Sequence, residues 1–352
     1  MGHPSMSPEV PFRRVLRQDN KMQDKALLDP FGRRITYLRL SVTDRCDFRC
    51  TYCMSEDMVF APRAQILTLE ELYSVADAFI GLGVRRIRIT GGEPLVRRNL
   101  VDLLRRLGAR EELEDLSITT NGSQLAQLAG ELRAAGVSRL NVSLDSLRRE
   151  RFAAFTRRDR LDQVLAGIAA ARRAGFRRIK LNCVVQKGRN DDEVQELVAF
   201  AVEQGLDISF IEEMPLGSIS SHERKVTLCT SEEVRARLAE RFMLLPSSYR
   251  TGGPSRYWQV AGSDTRVGFI SPHSRNFCSD CNRVRVTAEG KLVLCLGHEG
   301  ALDLKSLIRR HPGDAGRLRA ALIDALRLKP ERHHFEADQQ VQVVRFMSMT
   351  GG

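Results

Sequence analysis

From about residue 35 to residue 215 the chain repeats one unit: a short apolar strand, a turn, then a helix-length amphipathic stretch. Six strand-sized runs fall in that rhythm, Tyr37 to Val42, Arg86 to Thr90, Leu116 to Thr120, Arg139 to Leu144, Arg178 to Val185 and Ile208 to Glu212. Helical stretches separate them, such as Thr68 to Leu82, where Thr68 and Glu71 form a capping box. This alternation is the mark of an α/β fold. Six parallel strands with right-handed crossovers make an open or partial barrel, and ligands of such folds bind where strands end and loops begin.

Chemistry-bearing residues stand at those ends. The run CDFRCTYC follows strand one, Gly91-Gly92-Glu93-Pro94 strand two, and Thr119-Thr120-Asn121-Gly122 strand three. Ser143 closes strand four and Met214-Pro215 follow strand six. Cys46, Cys50 and Cys53 present three thiolates and omit the fourth ligand that a closed zinc site requires. Thiolate is also the soft ligand of iron-sulfur clusters, and a cubane held by three cysteines leaves one iron free to bind something else. A zinc site completed from elsewhere, or three buried thiols, are the competing readings of the triplet alone. Read alone, GGEP is equally an ordinary βα turn.

Past residue 215 the rhythm breaks. A stretch from Leu216 to Ser221 leads to a helix around Ser231 to Phe242, then a Pro/Gly-rich loop from Pro246 to Pro254. A hairpin follows at Arg283 to Thr287 and Lys291 to Leu296, turning through Glu289-Gly290, with helical stretches at Leu302 to Arg310 and Ala315 to Leu328. The expected organisation is a flexible leader over 1–33, the barrel over 34–215, a C-terminal α+β domain over 216–345 and a Gly-Gly tail over 346–352. The second region carries Cys278, Cys281 and Cys295. His298 lies close behind, so Cys-x2-Cys-x13-Cys-x2-His also reads as a zinc ribbon. The basic run Asn282-Arg283-Val284-Arg285 beside these cysteines, and the presence of the first triplet, favour a second iron-sulfur cluster.

Six of the eight cysteines fall in the two clusters, a distribution that suits metal binding in a reducing, cytoplasmic setting rather than a secreted disulfide framework. Cys183 and Cys229 stand alone and read as small buried apolar residues. No stretch is apolar enough to cross a bilayer, and residues 1 to 33 lack the apolar core of an export signal. A net charge of +11 and a pI of 9.6 favour an anionic partner. Paired arginines such as Arg105-Arg106 read as solvated helix faces. Arg39, Arg88 and Lys180, by contrast, interrupt apolar strands, where a charge is costly unless paired; they suit a triphosphate as well as a solvated barrel mouth.

The spacing of the first triplet, with Tyr52 before its last cysteine, resembles the radical S-adenosylmethionine (SAM) superfamily. Together with GGEP, TTNG, NVSLDS and CxxCNRxRxT...GKLxxCL, the chain resembles the GTP 3′,8-cyclase family, lyases of molybdenum cofactor biosynthesis, over nearly all of residues 35 to 352. That resemblance implies a partial (β/α)6 barrel closed by a C-terminal domain, with one [4Fe-4S] cluster at each end. Cys46, Cys50 and Cys53 would hold the cluster that binds SAM, and Tyr52, Gly92, Ser143 and Met214 would line the SAM pocket. Cys278, Cys281 and Cys295 would hold an auxiliary cluster facing the guanine of GTP. Arg39, Arg88, Thr119, Lys180, Arg283 and Arg285 match positions that contact GTP. An external low-potential electron donor, a homodimer, a C-terminal Gly351-Gly352 reaching into the site, and cyclic pyranopterin monophosphate synthase as the next pathway enzyme are implied as well.

Two other readings compete. A radical SAM enzyme acting on peptides would carry more auxiliary cysteines than three. A zinc-ribbon protein binding nucleic acid would interleave aromatics with its basic residues, yet aromatics are 6% of the chain and the run Asn282 to Arg285 has none. Neither a nucleic-acid nor a membrane partner is expected.

Overall fold

The computed structural model describes residues 27–217, 223–333, 335 and 346–351. Its centre is the expected set of six strands: β1 (Tyr37–Ser41), β2 (Arg86–Thr90), β3 (Asp115–Thr120), β4 (Arg139–Ser143), β5 (Ile179–Val185) and β6 (Asp207–Glu212). All neighbours are parallel and lie in chain order. The crossovers are α1 (Leu69–Gly81), α2 (Leu100–Gly108), α3 (Leu125–Ala134), α4 (Arg149–Thr156) with α5 (Leu161–Arg173), and α6 (Val194–Gln204). The capping box forms as the sequence requires: Thr68 Oγ1 accepts from the Glu71 amide at 3.1 Å, and a Glu71 carboxylate oxygen accepts from the Thr68 amide at 2.8 Å. Such a cap contributes about 1 kcal/mol.

Alternation along each strand sorts its side chains. In β5, Ile179, Leu181, Cys183 and Val185 are buried toward the helices, while Lys180, Asn182 and Val184 face the barrel interior. Cys183 and Cys229 are buried among apolar neighbours.

The C-terminal region departs from a separately packed unit. β9 (Arg266–Ile270) adds in parallel to β6, and β10 (Arg283–Val286) adds in parallel to β1. Beyond β9 lie β8 (Arg256–Val260) and β7 (Leu244–Pro246); beyond β10 lie β11 (Lys291–Val293) and β12 (Ala301–Asp303), all antiparallel to their neighbours. One twelve-stranded sheet results. The exposed edges of a six-stranded partial barrel would leave two rows of unpaired backbone groups, and the second region covers both. Val267, Val284 and Leu304 accordingly join the same buried cluster as the barrel strands.

The remaining helices are α7 (Arg224–Thr227), α8 (Ser231–Ala239), α9 (Leu304–Arg310), α10 (Ala315–Leu326) and α11 (Met347–Thr350). Leu302, expected in a helix, is in β12 opposite Leu292, and Asp303 then caps α9 by accepting from the Ser306 amide at 2.9 Å. The flexible leader expected through residue 33 is also corrected at its end. Leu27 is buried, Arg33 pairs with Asp29 at 2.6 Å, and its guanidinium donates to the Cys278 carbonyl at 2.7 Å. Residues 1–26, 218–222, 334, 336–345 and Gly352, on which parts of the leader, C-terminal-domain and tail expectations fall, lie outside the described residues.

Candidate active site

The loop after β1 carries the first cysteine triplet and is held by the turn after β2. The Gly92 amide donates to the Thr43 carbonyl at 2.9 Å and the Glu93 amide to the Arg45 carbonyl at 2.8 Å. A Cβ on Gly92 would overlap the Arg45 carbonyl, so only glycine permits the approach. Glu93 then ties in the end of β3. Its fully buried carboxylate accepts from the Leu95 amide at 3.0 Å, the Thr120 hydroxyl at 2.8 Å and the Asn121 amide at 2.6 Å. Burial still pushes its pKa up to about 7. Asn121 Nδ2 donates to Asp47 at 2.7 Å and lies 3.8 Å from Cys46 Sγ. Tyr52 donates to Asp145 at 2.8 Å, fastening the triplet to the ends of β4 and β5.

The second triplet lies at the opposite end, where Cys281 precedes the first residue of β10. Arg33 and Lys329 surround it: Lys329 Nζ donates to the Arg283 carbonyl at 3.1 Å and also to that of Leu294. The His333 amide donates to Cys278 Sγ at 3.4 Å.

Between the ends is a field of cations. Arg39 of β1 is in register with Arg88 of β2 on one side and Arg285 of β10 on the other. Like charges set side by side on a sheet repel. Burial and the neighbouring arginines pull the Arg39 pKa far down and bring that of Arg285 to about 10. Lys180 of β5 is lowered too, first by burial. Among the described residues Arg88, Lys180, Arg283 and Arg285 form no ion pair with a carboxylate, and Arg88 Nε, Thr119 Oγ1 and Asn182 Oδ1 are buried without a hydrogen-bond partner. Most buried polar groups find a partner, so these three stand out in the cavity wall.

All sixteen residues singled out in the sequence line one cavity, the two cysteine triplets facing each other across the cation field. Residues 40–201 match the model of the Radical SAM superfamily, and residues 206–335 that of Molybdenum Cofactor Synthesis C. The chain is 78% identical over 331 residues to the GTP 3′,8-cyclase of Ectopseudomonas mendocina, a match covering 94% of this chain and 100% of that one. Its identity to GTP 3′,8-cyclase 2 of Pseudomonas aeruginosa is 76% over 331 residues, with the same 94% and 100% coverage. The chain belongs to the GTP 3′,8-cyclase family of radical SAM enzymes. Among solved structures, Streptococcus suis SuiB bound to S-adenosylmethionine aligns with a TM-score of 0.56 at 14% identity, covering 88% of this chain and 72% of that one. That likeness shows the fold alone.

A radical SAM enzyme works with SAM and a [4Fe-4S] cluster. The first triplet fits such a group. Its three thiols sit on the cavity wall, and the Phe48 amide points at Cys46 Sγ at 3.4 Å, the backbone donation that cluster sulfurs accept. Burial, with repulsion from Glu93 at Cys46 and from Cys53 and Asp145 at Cys50, pushes those two thiols far up, and burial with Asp145 brings Cys53 to about 12. A bound metal group supplies the positive charge that thiolates there require. For the second triplet the zinc-ribbon set does not assemble. His298 lies outside the cavity with Nε2 3.1 Å from the Arg332 carbonyl.

Several residues of the site escaped the sequence reading. Asp145 stands inside the motif NVSLDS but has no distinguishing mark until Tyr52 is seen to donate to it. Thr251, Gly253, Pro254 and Ser255 line the cavity from a segment read only as a Pro/Gly-rich loop, and His333 from one given no role.

Proposed function

We propose that this chain converts GTP to (8S)-3′,8-cyclo-7,8-dihydroguanosine 5′-triphosphate, the first step of molybdenum cofactor biosynthesis. One observation carries it: two cysteine triplets and a set of cations open onto a single cavity, Arg88, Lys180, Arg283 and Arg285 having no ion-paired carboxylate among the described residues. When bound at Cys46, Cys50 and Cys53, a [4Fe-4S] cluster supplies the electron that cleaves SAM to methionine and a 5′-deoxyadenosyl radical. Overall, the hydrogen atom of the ribose C3′ of GTP passes to the 5′-deoxyadenosyl radical, giving 5′-deoxyadenosine, C3′ joins C8 of guanine, and one electron from the external low-potential donor with one proton at N7 completes the 7,8-dihydro product.

The residues divide the remaining tasks. Tyr52, Gly92, Ser143 and Met214 bound the space for SAM at the upper end. Arg39, Arg88, Lys180 and Arg285 offset the charge of the triphosphate, and Arg binds phosphate oxygens bidentately. Thr119 offers its open hydroxyl, and Arg283 lies between the triphosphate cations and the second triplet. Cys278, Cys281 and Cys295 would hold a second [4Fe-4S] cluster, positioned to fix the base. With both ends of the substrate held, C3′ is oriented toward SAM and water is displaced, which serves radical chemistry better than an acid-base pair would. The resemblance adds an external low-potential electron donor, a homodimer, cyclic pyranopterin monophosphate synthase as consumer of the product, and a cytoplasmic setting. No helix among the described residues is long and apolar enough to cross a membrane.

Anaerobic iron and sulfide analysis, followed by 5′-deoxyadenosine assays with and without GTP, tests the proposal. GTP-dependent 5′-deoxyadenosine formation with a cyclised nucleotide product is expected; formation indifferent to GTP overturns the substrate.

A further inference from the structure

The segment joining β7 to β8 does more than connect them. It folds back across the barrel floor, the end opposite Cys46 to Cys53. Tyr249 stacks under the Arg266 guanidinium at 4.0 Å, and a Cβ on Gly252 would lie 3.3 Å from Arg86. Arg266 and Arg86 are the first residues of β9 and β2, so the loop spans the floor from one strand's start to the other's.

Its entry into the barrel depends on a missing side chain. Ser255 Oγ lies 3.0 Å from Ser209 Oγ on the inner face of β6, and a Cβ on Gly268 of β9 would overlap both hydroxyls. Behind the loop, Tyr257 is buried with its hydroxyl 3.2 Å from Lys180 Nζ. The amides of Thr251, Gly252 and Gly253 donate to no acceptor among the described residues, and Gly252 has a φ of +71°. Thr251, Gly253 and Ser255 of this loop line the cavity.

We propose that Thr251 to Ser255, with Tyr257 positioning Lys180, seats the terminal phosphate of the nucleotide and so makes the enzyme prefer a triphosphate to a monophosphate. This rests on the GTP reading above. The geometry sets which end of the substrate lies here. The second triplet and Arg283 adjoin β10 at one edge of the barrel, while Lys180, Ser209 and the loop lie at β5, β6 and β9 toward the other. A nucleotide with its base at the first and its phosphates crossing Arg39 and Arg88 ends at the loop. No carboxylate forms an ion pair with Lys180 among the described residues, and hydroxyls and open amides are the donors that a terminal phosphate adds to those shared by every guanine nucleotide.

Tyr257 also gives the seat a pH signature. Burial alone would raise its phenol, but Lys180 and the Thr251 and Ser255 hydroxyls outweigh it and bring the pKa to about 8. Above that pH a phenolate faces Lys180 and the site loses one positive charge, so nucleotide binding weakens as pH rises.

The test measures binding of GTP, GDP and GMP to anaerobic holoenzyme by equilibrium dialysis, for the wild type and for Tyr257→Phe, Ser255→Ala and Thr251→Val. Losing a charge-assisted hydrogen bond is expected to weaken GTP binding roughly tenfold or more while GMP binding stays within about twofold. The fall in wild-type GTP affinity above about pH 8 should be absent in Tyr257→Phe. Thr251→Val removes one hydroxyl from a half-buried loop position and keeps the test valid if Tyr257→Phe fails to fold. A GTP-to-GMP affinity ratio unchanged in Thr251→Val, or GTP and GMP weakened equally, overturns the proposal and leaves the GTP reading standing. Absence of GTP binding by the wild-type holoenzyme overturns both.

Discussion

The two cysteine triplets face one cavity but are made in opposite ways. The first is compact and local: three thiols in one loop, held by the turns after β2 and β3, with burial and carboxylates driving their pKa values up. The second is assembled from distant parts. Cys278 and Cys281 come from the loop before β10 and Cys295 from the end of the hairpin, while Arg33, Lys329 and His333 reach in from elsewhere. Its electrostatics are mixed: burial raises Cys295, as it does the thiols of the first triplet, but Cys281 goes the other way. Burial raises Cys281, but Arg283, Lys329 and Arg33 outweigh it and hold that thiol below its ordinary value. A metal group is thus needed to make thiolates stable at the first end, whereas the protein itself supplies part of the positive charge at the second.

Removing one thiol at each end separates them most sharply. Cys50→Ala should abolish 5′-deoxyadenosine formation and reduce iron from about eight to about four atoms per chain, on the two-cluster proposal. Cys281→Ala should lower iron equally yet retain SAM cleavage while losing the cyclised product. Equal loss of SAM cleavage in both variants would end the distinction between the ends.

A smaller effect is expected between them. Arg285→Ala removes one member of the cation row and should weaken GTP binding roughly 10- to 100-fold, since hydrogen bonds to charged groups contribute about 1.5 to 3 kcal/mol. The first cluster's absorbance should persist. Its disappearance would assign Arg285 a structural role, for which its bonds to the Thr350 and Gly351 carbonyls already give a route. The smallest change is Lys329→Met, which leaves two carbonyls of the second end without their donor. Destabilisation of about 1 to 3 kcal/mol should follow in anaerobic denaturant titrations, with iron lost preferentially from the second site. Uniform iron loss from both sites would contradict the claim that Lys329 serves one end.

Much of this was legible before any coordinates. The boundaries of the six barrel strands fall within a residue of the expectation because strand periodicity and helix caps are local properties, and Thr68 with Glu71 announces its helix, whereas the hairpin strand expected over Lys291 to Leu296 ends at Val293. The first cysteine triplet, GGEP and TTNG are contiguous motifs, and the family resemblance they carry supplied the chemistry that spacing alone left open. Less legible were the docking of Leu27 to Arg33, since a polar, basic stretch carries no sign that Arg33 will meet the Cys278 carbonyl, and the entry of Thr251 to Ser255, which depends on a glycine in another strand.

Sequence by itself therefore determined the six-unit parallel core, the two sets of three cysteines and the cationic residues among the strands. Tertiary structure alone decided that these belong to one site. Arg39 meets Arg88 and Arg285 only because β10 seals the open edge at β1, and the floor closes only because Gly268 leaves room for Ser255. Edge pairing and interior fit join residues far apart in the chain, through backbone groups and volumes that leave no periodic trace in residue order.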